Sequence, residues 1–293
     1  MSILNGKNIL LGISGGIAAY KTTFLVRLLI KLGANVQVIM SSSAKDFVTP
    51  LTLSTLSKRP VLSEFFNKNE QNELWNNHVE LALWADYIVI APATANTLSK
   101  MASARSDNLL IATYLSSKCP VYFAPAMDLD MHKNKANQDN IEKLISYGNI
   151  HIPVNSGFLA SGLKGEGRMQ EPSQIISFIE NDIHKGLKLF GKKILITGGP
   201  TYEPIDAVRF IGNFSSGKMG IELAKTASSL GADVVLITGP TSLSVSNKSI
   251  KVVNVMTADE MFKKTKEFFV SSDISVLSAA VSDFKPKKIV FNK

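Results

Sequence analysis

The sequence predicts an α/β protein made of two doubly wound, Rossmann-like parallel-sheet domains in tandem. Three observations predict it. The chain carries an internal repeat: GKNILLGISGG at 6–16 resembles GKKILITGGPT at 191–201, and LGANVQVIM at 32–40 resembles LGADVVLIT at 230–238. Each copy reads strand, Gly-rich turn, helix, Leu-Gly-Ala and second strand, the pattern of a parallel βαβ unit. The length, 293 residues, suits about two domains of about 150 residues each. The boundary falls in the polar, helical stretch Lys185–Gly191, giving domains 1–188 and 189–293.

Along the first domain the apolar pattern predicts strands at Asn8–Gly12, Asn35–Met40, Tyr87–Ala91, Val121–Pro125 and Asn149–Ile152. Helices are expected at Gly16–Lys31, Asn76–Trp84, Ser106–Ser116 and Gln138–Tyr147. Tyr20, Phe24, Leu28 and Leu32 share one face of the first helix and are assigned to the core. The Gly of each Leu-Gly-Ala ends its helix, because glycine enters the left-handed conformation without a Cβ penalty. In the second domain, strands at Lys193–Thr197, Val234–Thr238, Lys251–Val255 and Ile274–Ser278 alternate with helices at Lys218–Leu230 and Thr257–Val270. The second copy departs from the first by an insertion at 200–213, at the carboxyl end of a strand, where parallel sheets bind ligands. Ser242–Lys248 reads as a polar loop.

Composition removes several classes. An apolar share of 45% with 19% charged residues is ordinary for a globular chain and wrong for a disordered one. A lone cysteine, Cys119, allows no internal disulfide and no Cys-based zinc site, and suits a reducing cytoplasm. No apolar run reaches the roughly 18 residues of a membrane helix, and the N-terminal run meets a Gly-rich turn as a first strand would. Lys and Arg number 32 against 24 Asp and Glu, a formal net charge of +8. The basic residues come in short pairs such as Lys192-Lys193, with no cluster that would form a nucleic-acid groove. Small phosphorylated ligands fit the sign.

Three turns at one sheet edge carry the first domain's ligand chemistry. Ser14-Gly15-Gly16 ends a strand and opens a helix, where free N–H groups and the positive helix end favour an anion. It is not the GxGxxG fingerprint, so a dinucleotide is disfavoured. Ser41-Ser42-Ser43 and Ala91–Thr97 follow neighbouring strands and add small polar groups. Together they suggest a bound mononucleotide, although each alone also suits a tight connection. In the second domain Ser215-Ser216-Gly217 precedes a helix, as an N-cap or as a phosphate site.

His78 opens the helix HVELALWAD and has no partners at metal-ligand spacing. It is either a surface residue or a general base, since histidine titrates near neutral pH. Cys119 before Pro120 reads as packing. Residues 157–169, GFLASGLKGEGRM, read as a Gly-rich flap.

SGGIAAYK, HVEL, APATANT, PAMDLDM and GFLASGLKGEGRM resemble the flavin-containing cysteine decarboxylases. ITGGPTYEPIDAVRFIGNFSSGKMG and SAAVSDFKP resemble phosphopantothenate–cysteine ligase. The whole chain thus resembles the bifunctional phosphopantothenoylcysteine decarboxylase/phosphopantothenate–cysteine ligase family of bacterial coenzyme A synthesis. The resemblance implies a flavodoxin-like first domain that binds FMN, a second domain that uses CTP and Mg²⁺, a cytoplasmic location and a trimer-based homo-oligomer. It implies that Gly15, Gly16, Ser41, Ala91, Thr94 and Asn96 surround FMN, that His78 is the base, and that Asp128 and Met131 contact substrate beneath a flap at 160–169. In the ligase half it implies that Asn213 assists attack on an acyl-cytidylate, that Ser215, Ser216 and Gly217 serve phosphates, and that Ala279, Ala280 and Asp283 line the site.

Three departures qualify the match. The family's PxMNxxM carries Asp128 in place of Asn; its flap LACG carries Ser161 in the catalytic cysteine position; and Lys293, a catalytic lysine by resemblance, stands where the KxKK segment begins. The last implies that the ligase domain continues beyond Lys293 and that ligation is impaired without the remainder. By resemblance, 4′-phosphopantothenate and cysteine are joined with CTP. The resulting phosphopantothenoylcysteine is oxidised at the thiol, decarboxylated and reduced to 4′-phosphopantetheine. Two rivals stay open: a flavin-dependent cysteine decarboxylase acting on a peptide, which Ser161 favours, and a flavin-binding regulatory protein without turnover.

Overall fold

The computed structural model describes residues 2–67, 74–245, 247 and 249–287. The chain divides into two compact units, Met1–Asn181 and Asp182–Lys293, so the division lies a little before the 188/189 boundary read from the sequence.

Unit 1 begins with β1 (Asn8–Ile13), a short 3-10 helix (Ile17–Lys21), α1 (Thr22–Lys31) and β2 (Asn35–Met40). A helix α2 (Pro50–Ser57) and a small hairpin of β3 (Phe66–Asn67) and β4 (Leu74–Trp75) follow. Then come α3 (His78–Trp84), β5 (Tyr87–Ala93), α4 (Ala95–Ala102), α5 (Leu109–Leu115) and β6 (Val121–Pro125). The unit closes with α6 (Leu129–Lys133), α7 (Lys135–Ser146), β7 (Ile150–His151), the hairpin of β8 (Asn155–Phe158) and β9 (Lys164–Arg168), and α8 (Pro172–Lys185). The main sheet runs β2-β1-β5-β6-β7, every neighbour parallel. Leaving out the hairpins, this is the flavodoxin-like order 2-1-3-4-5. Its strands are near-continuous apolar runs because both faces are covered: Ile9, Leu10 and Leu11 of β1 are fully buried, as are Ile88 and Ile90 of β5.

The predicted core face of the first helix is corrected. Tyr20 is 48% and Phe24 59% exposed, and the buried residues are Leu25, Val26 and Leu29. The expected helix opens as a 3-10 turn that takes Tyr20 out of α1, and within α1 a neighbouring apolar stripe, Leu25, Val26 and Leu29, is the one that packs. A second correction concerns Ala91–Thr97, read as a loop. The strand runs on to Ala93, Thr94 is the N-cap and α4 begins at Ala95. Gly33 ends α1 with φ +86 and Gly231 ends the equivalent helix with φ +94, as the repeat requires.

Unit 2 contains β10 (Lys193–Gly198), β11 (Tyr202–Pro204), β12 (Phe210–Gly212), α9 (Lys218–Ser229), β13 (Asp233–Thr238), β14 (Ile250–Asn254), α10 (Ala258–Phe269) and β15 (Ile274–Leu277). Its parallel sheet has the order β14-β13-β10-β15. Ile196, Ile221, Ala224, Val234 and Leu236 pack one face, and Leu195, Ile237 and Met261 the other. The insertion forms the antiparallel hairpin β11–β12, with the Tyr202 and Phe210 rings stacked 3.9 Å apart. Asp206 closes its turn by accepting the Val208 and Arg209 backbone N–H groups; these bonds and the Arg209 guanidinium bring its pKa down to about 2.

Candidate active site

The sequence runs of β1 and β5 leave their chain ends side by side, and the sheet order reverses between them. Such a switch point opens a crevice at the carboxyl ends of the strands. Ser14 ties the two ends together: its hydroxyl donates to the Pro92 carbonyl at 2.6 Å and accepts the Thr94 N–H at 3.0 Å. A cavity of about 610 Å³ lies here, walled by Gly15, Ser41, Ser43, Thr94, Asn96 and Thr97. A Cβ on Gly15 would stand 2.8 Å from the Ser43 backbone carbon, so only glycine lets these two turns meet. The same cavity reaches Lys100, Asp107 and Asn108. Lys100 pairs with Asp107 at 2.7 Å, and that hydrogen bond holds the Asp107 carboxyl below its ordinary pKa.

A second cavity of about 430 Å³ shares the Ala126-Met127 wall and is lined by Gly16, Lys21, Asp128, Ala160, Arg168 and Met169. The β8–β9 hairpin forms one side of it. The Met127 N–H donates to the Gly167 carbonyl at 3.0 Å. Gly167 has φ +129, and a Cβ there would collide with the Met127 carbonyl. Asp128 caps α6, its carboxylate accepting the Leu129 N–H at 2.6 Å. Met131, one turn on, lines the first cavity.

The other predicted residues scatter. His78 opens α3 behind the Asn77 cap, its ring edge-on to Phe65 at 6.0 Å and Trp75 at 6.2 Å. Its Nδ1 is buried with no hydrogen-bond partner among the described residues, and it lines neither cavity. Ala91 is fully buried inside β5 and does not reach the first cavity's wall, because the strand extends past it. Ser161 sits exposed in the hairpin turn, accepting the Leu163 N–H at 3.5 Å. Cys119 is half-buried against the core cluster, and burial pushes its thiol pKa up. Sequence reasoning put Ser14 in the anion turn without its tie to β5, and missed Lys21, Lys100 and Asn108. A charged residue in the small-residue run SGGIAAYK was the available signal for Lys21.

In unit 2 the switch point lies between β10 and β15. The Ala280 N–H donates to the Gly199 carbonyl at 2.9 Å, and Asn213 Nδ2 donates to the Val281 carbonyl at 2.9 Å. Asn213, Ala279 and Ala280 therefore meet, with Gly217 against Gly199 and Ser215 and Ser216 leading into α9. Asp283 is exposed, beside Ser282, whose N–H bonds Thr201. A cavity of about 530 Å³ at the ends of β13 and β14, lined by Thr238, Thr241, Ser244, Asn254 and Met256, contains none of the predicted residues. Lys293 lies outside the described residues. Among the described residues no group of three His, Cys, Asp or Glu is placed to hold a metal.

Residues 2–184 match the family model described as Flavoprotein, and residues 189–293 the one described as DNA/pantothenate metabolism flavoprotein C-terminal domain. The chain belongs to the flavoprotein family. Over 293 residues, 100% of this chain and 72% of the relative, it is 42% identical to the coenzyme A biosynthesis bifunctional protein CoaBC of Vibrio cholerae. Over 243 residues, 82% of this chain and 67% of the relative, it is 51% identical to a cysteine/cysteine sulfinic acid decarboxylase from an unknown prokaryotic organism. Among solved structures it is similar to a Cys-to-Ser mutant of PPC decarboxylase complexed with pantothenoylaminoethenethiol, with TM-score 0.54 and 33% identity over 61% of this chain and 99% of that one. It is also similar to the FMN binding protein AtHal3, with TM-score 0.53 and 31% identity over 62% of this chain and 98% of that one. The α/β flavodoxin-like fold expected of the flavoprotein unit is the fold observed.

Proposed function

We propose that unit 1 is an FMN-dependent decarboxylase of phosphopantothenoylcysteine, acting in coenzyme A biosynthesis. The observation that carries this reading is the pair of cavities sharing the Ala126-Met127 wall, one at the switch point and one beneath the flap. A volume of about 610 Å³ falls within the usual range for cofactor sites. The donor set fits FMN: hydroxyls of Ser41, Ser43, Thr94 and Thr97, the start of α4, the Lys100 cation, and a glycine where a Cβ would close the cradle. The similarity to an FMN binding protein and to PPC decarboxylase supports the same assignment.

Bound flavin supplies the oxidation that turns the cysteinyl thiol carbon into an electron sink beside the carboxylate. The chain's own groups do the rest. Gly16 and Asp128 flank the substrate cavity, and Asp128, fixed by its cap bond, accepts a hydrogen bond from the substrate amide. The flap excludes water while carbon dioxide leaves. His78 is the base for thiol oxidation. It lines neither cavity of its own chain, and a trimer-based homo-oligomer brings it to a flavin; exposed Ile17, Tyr20 and Phe24 beside the flavin turn offer an apolar contact surface. Light scattering on the flavin-loaded protein tests the assembly: a monomer contradicts it.

For unit 2 we propose the CTP- and Mg²⁺-dependent ligation of 4′-phosphopantothenate with cysteine, with Asn213, Ala279 and Ala280 at the reacting centre and Ser215, Ser216 and Gly217 toward phosphates. A second reading, decarboxylation of free cysteine, is favoured by the 51% identical relative. Supplying the flavin-loaded protein with phosphopantothenoylcysteine or with cysteine, and measuring carbon dioxide, separates the two: release from cysteine alone overturns the first.

A further inference from the structure

Lys21 is 4% exposed, which is unusual for a lysine. It is the last residue of the 3-10 helix that leaves the Gly15-Gly16 turn. In the wall of the second cavity its Nζ donates to the Met169 carbonyl at 3.1 Å and to Glu171 Oε1 at 2.7 Å. Arg168 Nη2 donates to the same oxygen at 2.9 Å. Met169 and Glu171 stand directly after β9, at the root of the flap.

Burying an ammonium group carries a desolvation cost, and an apolar side chain of similar length would fill the space as well or better. What an apolar chain could not do is fix one register of the flap root, because only a donor selects a particular carbonyl and carboxylate. Two residues earlier on the same leg, the Met127–Gly167 bond also holds the root. Two anchors therefore grip the end of β9, and the rest of the hairpin beyond them is largely exposed. We propose that Lys21 is a positioning residue, locking the flap root to the turn that holds the flavin; this rests on the reading of unit 1 as a flavin-dependent decarboxylase. The Glu171 carboxyl, held below its ordinary pKa chiefly by the Lys21 hydrogen bond, stays ionised as the partner the lock needs.

The test uses the full chain loaded with FMN. In Lys21→Met, amide hydrogen exchange across 155–168 should quicken by about tenfold while the parallel sheet is unchanged. Flavin absorbance and Tm should match the parent, because the substitution removes a buried charge. KM for phosphopantothenoylcysteine should rise more than kcat falls. Glu171→Gln should give the same flap exchange with a lower Tm, since it leaves the buried Lys21 ammonium without its carboxylate. Unchanged flap exchange in Lys21→Met, or acceleration spread evenly through unit 1, overturns the proposal. The exchange result stands whether or not the parent turns over, so failure of the decarboxylase reading is distinguishable from failure of the lock.

Discussion

His78 and Ser161 show what single residues contribute and what the chain leaves to their surroundings. The imidazole is held by ring contacts with Phe65 and Trp75, and its Nδ1 has no partner among the described residues. On the base role proposed for His78, His78→Asn should lower carbon dioxide release on the order of 10²–10⁴-fold with flavin absorbance retained. Near-normal turnover in a stopped assay would return His78 to a packing role. Among the described residues Ser161 makes one long local bond, and it stands in an exposed turn. A thiol with a pKa of about 8.5 can deliver a proton at neutral pH, which a serine hydroxyl cannot. Ser161→Cys should therefore speed flavin reoxidation more than carbon dioxide release, read by stopped-flow absorbance; equal effects on both would leave the serine a structural part of the turn. At this scale motifs pointed to residues that the structure places at a cavity or a strand end: Gly15, Asp128 and Asn213. What Ser14 and Lys21 hold was not legible, because their partners, Pro92 and Glu171, are far away in the chain.

The elements follow from local chemistry where one pattern dominates. Both βαβ repeats were legible because buried parallel strands are unbroken apolar runs and each helix ends at a glycine. The start and face of α1 were not, since a 3-10 turn looks like an α-helix in sequence and α1 carries two adjacent apolar stripes, of which Leu25, Val26 and Leu29 are buried. The Gly15 turn tests the switch-point cavity: Gly15→Ala should push the Ser41–Ser43 segment outward and lower flavin occupancy, measured by the ratio of flavin to protein absorbance. In unit 2, Gly217 precedes α9 with φ +75. Gly217→Ala should cost about 1 kcal/mol or more in chemical denaturation, because alanine is strained there. The flap root should respond to acid. Glu171 has a depressed pKa, so its contribution is present above the ordinary value of 4.5 and is lost as pH falls through the lower folded value. Measured against each amide's intrinsic exchange rate, protection of the flap should therefore fall below about pH 4.5, with a smaller loss in Lys21→Met.

At the scale of the whole chain, each unit has its own parallel sheet, core and switch point. Helix α8 carries Ile175, Ile176 and Ile179 into the core of unit 1, so a fragment must keep it. Residues 1–186 alone should fold and hold flavin; a fragment that stays colourless with added FMN would show that the cavity depends on the rest of the chain. The tandem architecture was legible because the repeat was. The distance between His78 and the cavities was not, since it depends on how helices pack. The central claim is that the two adjoining cavities of unit 1 hold a flavin and a cysteinyl carboxylate in reacting order. The direct measurement is anaerobic turnover of phosphopantothenoylcysteine by the flavin-loaded chain, following carbon dioxide and product mass together. The account predicts carbon dioxide release with formation of 4′-phosphopantetheine; a flavin-loaded protein that leaves the carboxylate intact would contradict it.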